Sequence, residues 1–198
     1  MAQRLITIGR EYGSGGHIIA QKVAEHFGIK LYDKTILAEI SKEGNFSQEV
    51  MEKFDEKPVS MGFVPMSVNG YNMSIQQEIA MRQFDFIRKK GMEERESFVI
   101  LGRCADEILY DNENVVRVFV TADEEFKIER IMKNENLERK EAIVKMKKAN
   151  KLRKTYHNYY CDSKWGDSRG YDLCINAAKV DYDSAAKVII EYVLAAEK

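Results

Sequence analysis

The chain has 198 residues, 44% of them hydrophobic and 32% charged, with a net charge of −1 at pH 7. That length and balance describe a globular chain with room for a large core and one insertion, and exclude a disordered one. The near-zero net charge excludes a general attraction to nucleic acid or a membrane surface. No apolar run reaches the roughly 20 residues of a spanning helix.

Met1 is followed almost at once by an apolar run that reads as a strand, so no signal peptide is expected. Cys104, Cys161 and Cys174 are odd in number and lack C-x-x-C spacing. They point to reduced thiols in a cytoplasmic protein, not to disulfides or a metal site.

The first apolar run, residues 5–8, reads as a strand, and it breaks into Gly9, Gly13, Gly15 and Gly16. Ile19, Val23 and Phe27 then recur every four residues beside Ala20 and Ala24, the pattern of a helix with one buried face, ended by Gly28. Strand, Gly-rich turn and helix is the setting of a phosphate-binding loop, where backbone amides and a helix N-terminus face an oxyanion. Gly13, Ser14, Gly15, Gly16 and His17 are the candidate cradle, His17 through its backbone N–H. The pattern departs from G-x-x-x-x-G-K-[ST]: glycine stands after Gly15 where lysine is expected, and His17 follows where a hydroxyl is expected. A G-x-G-x-x-G reading fails too, because Ile18 occupies the third glycine's place.

Residues 29–32 form a short strand candidate with Asp33 at its end, and 35–41 read as a helix. Residues 44–73 are irregular. Asn45 is a candidate cap for a short helix carrying Phe46, Val50 and Phe54, and then Pro58, Gly62, Pro65, Asn69 and Gly70 interrupt any pattern. Met61, Phe63, Met66, Tyr71 and Met73 argue against a disordered linker and for an insertion that closes over a substrate. Ser74 and Gln77 make a capping box for a helix with Ile75, Ile79, Ala80, Phe84 and Ile87, stopping near Gly91. Residues 97–101 are a buried strand that ends at Gly102-Arg103, and 115–120 are the next. Thr121 is expected to cap a helix with Ile128, Ile131 and Met132, followed by a long helix over 138–160. The last strand is 171–176, and the closing helix is expected to bury Ala185, Val188, Ile189, Tyr192 and Val193. Strands alternating with helices argue for a parallel sheet covered on both faces, with ligands at the carboxyl ends of its strands. The loop, Asp33, Gly102-Arg103 and Asn176 all lie at such ends.

Arg103 stands beside a buried strand, where an arginine needs an anionic partner. A phosphate suits its planar fork; an ion pair with Asp33 or Asp106 is the alternative. Residues 127–154 hold eleven Lys/Arg against four Glu. Arg153 shares a helical face there with Met146, Ala149 and Tyr156, and together with Arg130 it is a candidate for neutralising charge on a transferred phosphoryl group. The lysines of this segment read as a solvated face, with a nucleic-acid patch as the rival. Arg10 is a candidate for the missing loop lysine, or a partner of Glu11. Asp33 either orients a substrate through Arg103 or caps the helix from Thr35. Tyr156, Tyr159, Tyr160 and Trp165 read as one aromatic cluster.

The chain resembles the cytidylate kinase-like family of P-loop proteins over nearly its whole length. The residues that carry the resemblance are Ile8-Gly9-Arg10-Glu11-Tyr12-Gly13-Ser14-Gly15-Gly16, Tyr32-Asp33-Lys34, Ile100-Leu101-Gly102-Arg103-Cys104-Ala105 and Val118-Phe119-Val120-Thr121-Ala122. Arg153 with Tyr156, Trp165-Gly166-Asp167 and Tyr171-Asp172-Leu173-Cys174-Ile175-Asn176 complete it. The resemblance implies a three-layer P-loop NTPase α/β fold in one domain over 1–198, with core 1–43 and 96–198, a monophosphate-binding insertion at 44–95 and a lid at about 130–170. It implies ATP with Mg²⁺, a CMP or dCMP acceptor, Gly13 to His17 on the donor phosphates, and Asp33 with Arg103 at the acceptor. Arg130 and Arg153 fall near the start and end of the lid. The alternatives are a kinase for another small acceptor, a nucleotide-binding module without turnover and, least favoured by the net charge, a nucleic-acid binder. No sequence signal marks an oligomeric state.

Overall fold

Each apolar run bounded by glycine or polar residues becomes a strand, and each run with helical spacing becomes a helix. The structure, a computed structural model, describes residues 2–43, 47–56 and 75–197. In chain order it contains β1 (Leu5–Arg10), α1 (Gly16–Phe27), β2 (Lys30–Tyr32), α2 (Ile36–Glu43), α3 (Gln48–Phe54) and α4 (Ile75–Arg88). Then follow β3 (Phe98–Leu101), α5 (Ala105–Ile108), β4 (Val115–Thr121), α6 (Glu124–Glu135), α7 (Arg139–Tyr160), β5 (Leu173–Asn176) and α8 (Tyr182–Ala196).

The strands form one parallel sheet in the order β2-β3-β1-β4-β5. Alternation along each strand sends successive side chains to opposite faces. Ile6 and Ile8 of β1, Val99 and Leu101 of β3, and Val116, Val118 and Val120 of β4 pack against α1 and α8. Leu5, Phe98 and Ile100 face the other way, against α2, α3, α4 and α5 through Ile36, Leu37, Met51, Ile79, Ile87 and Ala105. The result is the expected three-layer α/β arrangement, its strands burying both faces. Among the described residues no helix is long and apolar enough to cross a membrane.

Several expectations need correction. Thr121 does not cap α6; it is the last residue of β4, and α6 begins after Asp123. A β-branched residue extends the strand by one position. On α8 the buried set is Ala185, Ala186, Ile189, Ile190 and Val193, while Val188 and Tyr192 are exposed. The helix is apolar over much of its circumference, so two overlapping faces satisfy the same spacing. Trp165 leaves the tyrosines and packs edge-on against Phe119, whereas Tyr156, Tyr159 and Tyr160 stay together with Phe84. The short helix α3 exists, but Ser47 caps it by accepting the Val50 N–H. Asn45, Phe46, Ser74 and the segment from Pro58 to Met73 lie outside the described residues.

The long helix α7 starts with a capping box between Glu138 and Glu141. Its far end is fixed by buried His157, whose Nε2 lies 2.8 Å from Asp106 Oδ2 on α5. This anchor sits one turn beyond Arg153 and so sets where that arginine points. Burial disfavours a charged ring at His157, but hydrogen bonds to Asp106 and Cys161 and their negative charge prevail and raise its pKa to about 10. A pKa raised above its ordinary 6.5 stabilises the fold fully below that pH and loses the contribution as pH climbs to about 10. Urea midpoints measured between pH 6 and pH 10 are therefore expected to fall more steeply for the wild-type chain than for His157→Gln. Equal slopes would show that the pair does not anchor α7.

Candidate active site

At the carboxyl end of β1 the chain turns through the glycine-rich loop into α1. Gly15, the residue before the helix, has φ 85°, and a Cβ there would lie 2.4 Å from the ring of Tyr182 at the start of α8. Only glycine meets both demands. Ser14 is fully buried and donates its hydroxyl to the Glu11 carbonyl at 2.9 Å, which tightens the turn. The Glu11 carboxylate accepts from Lys127 Nζ and from the Thr121 hydroxyl, both at 2.6 Å. Glu11 is therefore not the partner of Arg10. The Tyr12 N–H donates to Asn150 Oδ1 at 2.7 Å, tying α7 to the loop.

His17 lies in the first turn of α1, and its Nε2 is 2.8 Å from Asp33 Oδ2. The other oxygen of Asp33 accepts the Thr35 N–H at 2.9 Å. Partial burial disfavours the Asp33 carboxylate, yet these bonds hold its pKa below the ordinary value. Asp33 thus opens the turn into α2, as one of its two readings supposed, and it does so from a carboxylate fixed to the loop helix. Arg103 is not its partner.

The second half of the site is a cluster of three guanidiniums. Arg10 at the end of β1 donates from Nη1 and Nη2 to the two Glu56 oxygens at 3.1 and 3.4 Å. Arg153 donates to the Arg10 carbonyl at 3.1 Å and holds Nε 3.9 Å from Glu56. Arg103 gives its backbone N–H to Glu56 at 3.1 Å, Nη2 to Asp55 at 2.7 Å and Nη1 to the Leu101 carbonyl at 3.1 Å. Its ion-pair partner is therefore Asp55, neither Asp33 nor Asp106. Gly102, Arg103 and Cys104 all have positive φ, at 68°, 56° and 55°. Such left-handed conformations cost about 1–3 kcal/mol at each of the two non-glycine residues. A Cβ on Gly102 would fall 2.1 Å from Glu56 Oε1, so glycine there makes room for the carboxylate.

Burial opposes the charge on Glu56, but Arg10, Arg103 and Arg153 outweigh it and hold its pKa at about 2. Burial raises Asp55, with Arg103 opposing and Glu56 assisting the rise. Burial, reinforced by repulsion from Arg10, brings Arg153 down to about 10. Three guanidiniums against two carboxylates leave the cluster one net positive charge.

Loop and cluster face one cleft of about 370 Å³. Gly13, Gly15, Gly16 and His17 line it from the loop, together with Arg10, Arg103 and Arg153 and the carboxylates Asp55 and Glu56. Asp33 and Lys34 contribute from the end of β2, and Arg130 from α6. Arg130 lies 5.8 Å over the ring of Tyr182 and has no carboxylate partner among the described residues. Of the residues singled out from sequence, Ser14 sits beneath the loop instead of facing the cleft. Asn176 ends β5 on the same rim, but its side chain is tied to Asp123 and to the Ala178 N–H. Sequence reasoning missed Asp55, Glu56 and Lys34. The Lys34 charge beside Asp33 is visible in the sequence, whereas nothing local marks Asp55 and Glu56 as partners of arginines some fifty residues away.

Comparison with known proteins gives a consistent result. Residues 5–179 match the family model described as the cytidylate kinase-like family. The cytidylate kinase of Pyrococcus horikoshii is 27% identical over 88% of this chain and 80% of its own length. The crystal structure of an uncharacterized protein from Eubacterium ventriosum superposes with a TM-score of 0.77 at 46% identity, covering 96% of this chain and 98% of its own. Shikimate kinase from Bacteroides thetaiotaomicron shares the fold, with a TM-score of 0.57 at 14% identity over 98% and 99% of the two chains.

Removing Glu56 leaves three buried or half-buried guanidiniums around Asp55 alone. Glu56→Ala is expected to destabilise the chain by on the order of 3 kcal/mol in urea denaturation. Because the Glu56 pKa is depressed, its contribution is present above pH 4.5 and fades as pH falls toward 2. The acid limb of stability should accordingly be shallower in the variant. A variant as stable as wild type would mean that the cluster does not depend on this carboxylate.

Proposed function

The chain belongs to the cytidylate kinase-like family, and from that premise we propose that it transfers the γ-phosphoryl group of ATP to a nucleoside monophosphate, CMP or dCMP. The observation that carries the reading is the shared cleft: the glycine-rich loop and an arginine cluster line one cleft at the carboxyl ends of the parallel strands. In-line transfer needs donor and acceptor phosphates held close together, with cations around the moving group and little covalent chemistry from the protein.

In this reading the amides of Gly13, Gly15, Gly16 and His17 hold the donor, while Ser14 braces the turn from beneath. Arg103 lies at the acceptor end with Arg10, and the net positive charge of the cluster attracts a phosphate. Arg153 and Arg130 neutralise charge on the transferred group from the lid side, over about 130–170, while the insertion at 44–95 carries Asp55 and Glu56 to the acceptor end. Mg²⁺ enters with ATP as its substrate complex. The loop offers it no hydroxyl, since His17 stands at that position with its ring tied to Asp33.

A kinase with a different small acceptor is the second reading, and Arg103 favours it. Its guanidinium is already bonded to Asp55 and the Leu101 carbonyl, and the residue is only 3% exposed. A phosphate must displace Asp55 to reach it, whereas an acceptor without a phosphate needs no displacement.

Incubation of the protein with Mg-ATP and a panel of nucleoside monophosphates, followed by chromatography for diphosphates, tests the proposal. CMP or dCMP is expected to give product. Arg130→Ala, a half-buried side chain without a carboxylate partner, is expected to lower kcat by about 10²–10³. Product from another acceptor would replace the substrate; no product from any acceptor would overturn the reading.

A further inference from the structure

A loop without its lysine still has to compensate the terminal phosphates of a donor. Gly16 occupies that position, and a Cβ there would lie 2.7 Å from Arg10 Cβ and 3.2 Å from Arg10 Cγ. The stem of Arg10 fills the space that a longer side chain at residue 16 would need, so the packing itself excludes a lysine.

The neighbouring cations are mostly engaged. Arg10 is held by Glu56, Arg103 by Asp55, and Arg153 by Glu56 and the Arg10 carbonyl. Lys127 is buried and held by Glu11. Two cleft cations have no carboxylate partner among the described residues: Arg130 and Lys34. They come from opposite sides of the loop, Arg130 from α6 after β4 and Lys34 from the end of the edge strand β2, with β1 between them in the sheet.

Lys34 is exposed at its solvent side and lines the cleft together with Gly15 and Gly16. Its backbone is fixed relative to the loop, because the preceding Asp33 is clamped between His17 in the first turn of α1 and the Thr35 N–H. We propose that Lys34 supplies, from the neighbouring strand, the positive charge on the donor's terminal phosphates that the loop cannot carry at residue 16. The inference rests on the donor half of the function proposed above and is independent of which acceptor is used.

Calorimetric titration with inorganic tripolyphosphate, Mg-ATP and AMP tests it without requiring turnover. Lys34→Ala is expected to weaken tripolyphosphate and ATP about tenfold or more, the scale of one charge-assisted contact, and to leave AMP within about twofold. Lys34→Arg is expected to recover most of the loss, and Lys148→Ala, on the exposed side of α7, to change nothing. Lys34 is solvent-exposed, so an unchanged circular dichroism melt is expected for each variant. Tripolyphosphate and ATP bound by Lys34→Ala as tightly as by wild type would overturn the proposal, and so would an equal loss for AMP. The two readings separate cleanly. Lys34-dependent ATP binding without any phosphorylated acceptor removes the transferase and keeps the lysine. Turnover with Lys34-independent binding does the reverse.

Discussion

Three guanidiniums cannot gather at the end of a parallel sheet unless an anion shares the space. Arg10, Arg103 and Arg153 come from β1, from the turn after β3 and from α7, and what joins them is the carboxylate pair Asp55-Glu56 at the end of α3. Desolvating those groups singly would be prohibitive, and together they offset one another. The arrangement also explains the local backbone. Gly102 is glycine because Glu56 sits where its Cβ would be, and the left-handed turn through Arg103 and Cys104 brings the Arg103 N–H onto the same carboxylate.

The loop obeys a complementary constraint. It is crowded from both sides, by Tyr182 at Gly15 and by the Arg10 stem at Gly16, so at those two positions the backbone cannot carry a side chain. Positive charge is supplied instead by neighbouring elements. A second clamp, His157 on Asp106, holds α7 against α5, and Asn150 holds it to the Tyr12 amide. Arg153 therefore reaches the cleft from a helix fixed on both sides of it.

How much of this the sequence reveals follows from which interactions are local. Apolar runs and glycine punctuation suffice for all five strands of the described sheet and for the loop that leads into α1, because neighbouring residues determine them. The face of α8 departs from its spacing at Val188 and Tyr192, since an almost all-apolar helix does not declare which side meets the sheet. At the site, the loop glycines, Asp33, Arg10 and Arg103 are recognisable by residue type and by their place at strand ends, and Arg153 by the packed face of its helix. Their partners are not. Glu11 pairs with Lys127 and Arg10 with Glu56, pairings that separate in sequence by 116 and 46 residues and follow from topology alone.

The central claim is that a donor loop and an arginine cluster form the two ends of one cleft. A single ligand spanning both ends tests that most directly: adenosine and cytidine joined 5′ to 5′ through a polyphosphate chain, titrated calorimetrically against ATP and CMP alone. If one cleft holds both phosphates, the joined ligand gains from its covalent link and should bind about 100-fold tighter than ATP. Affinity no greater than that of ATP would mean that the two ends do not act on one pair of substrates, and the account would be wrong at its centre.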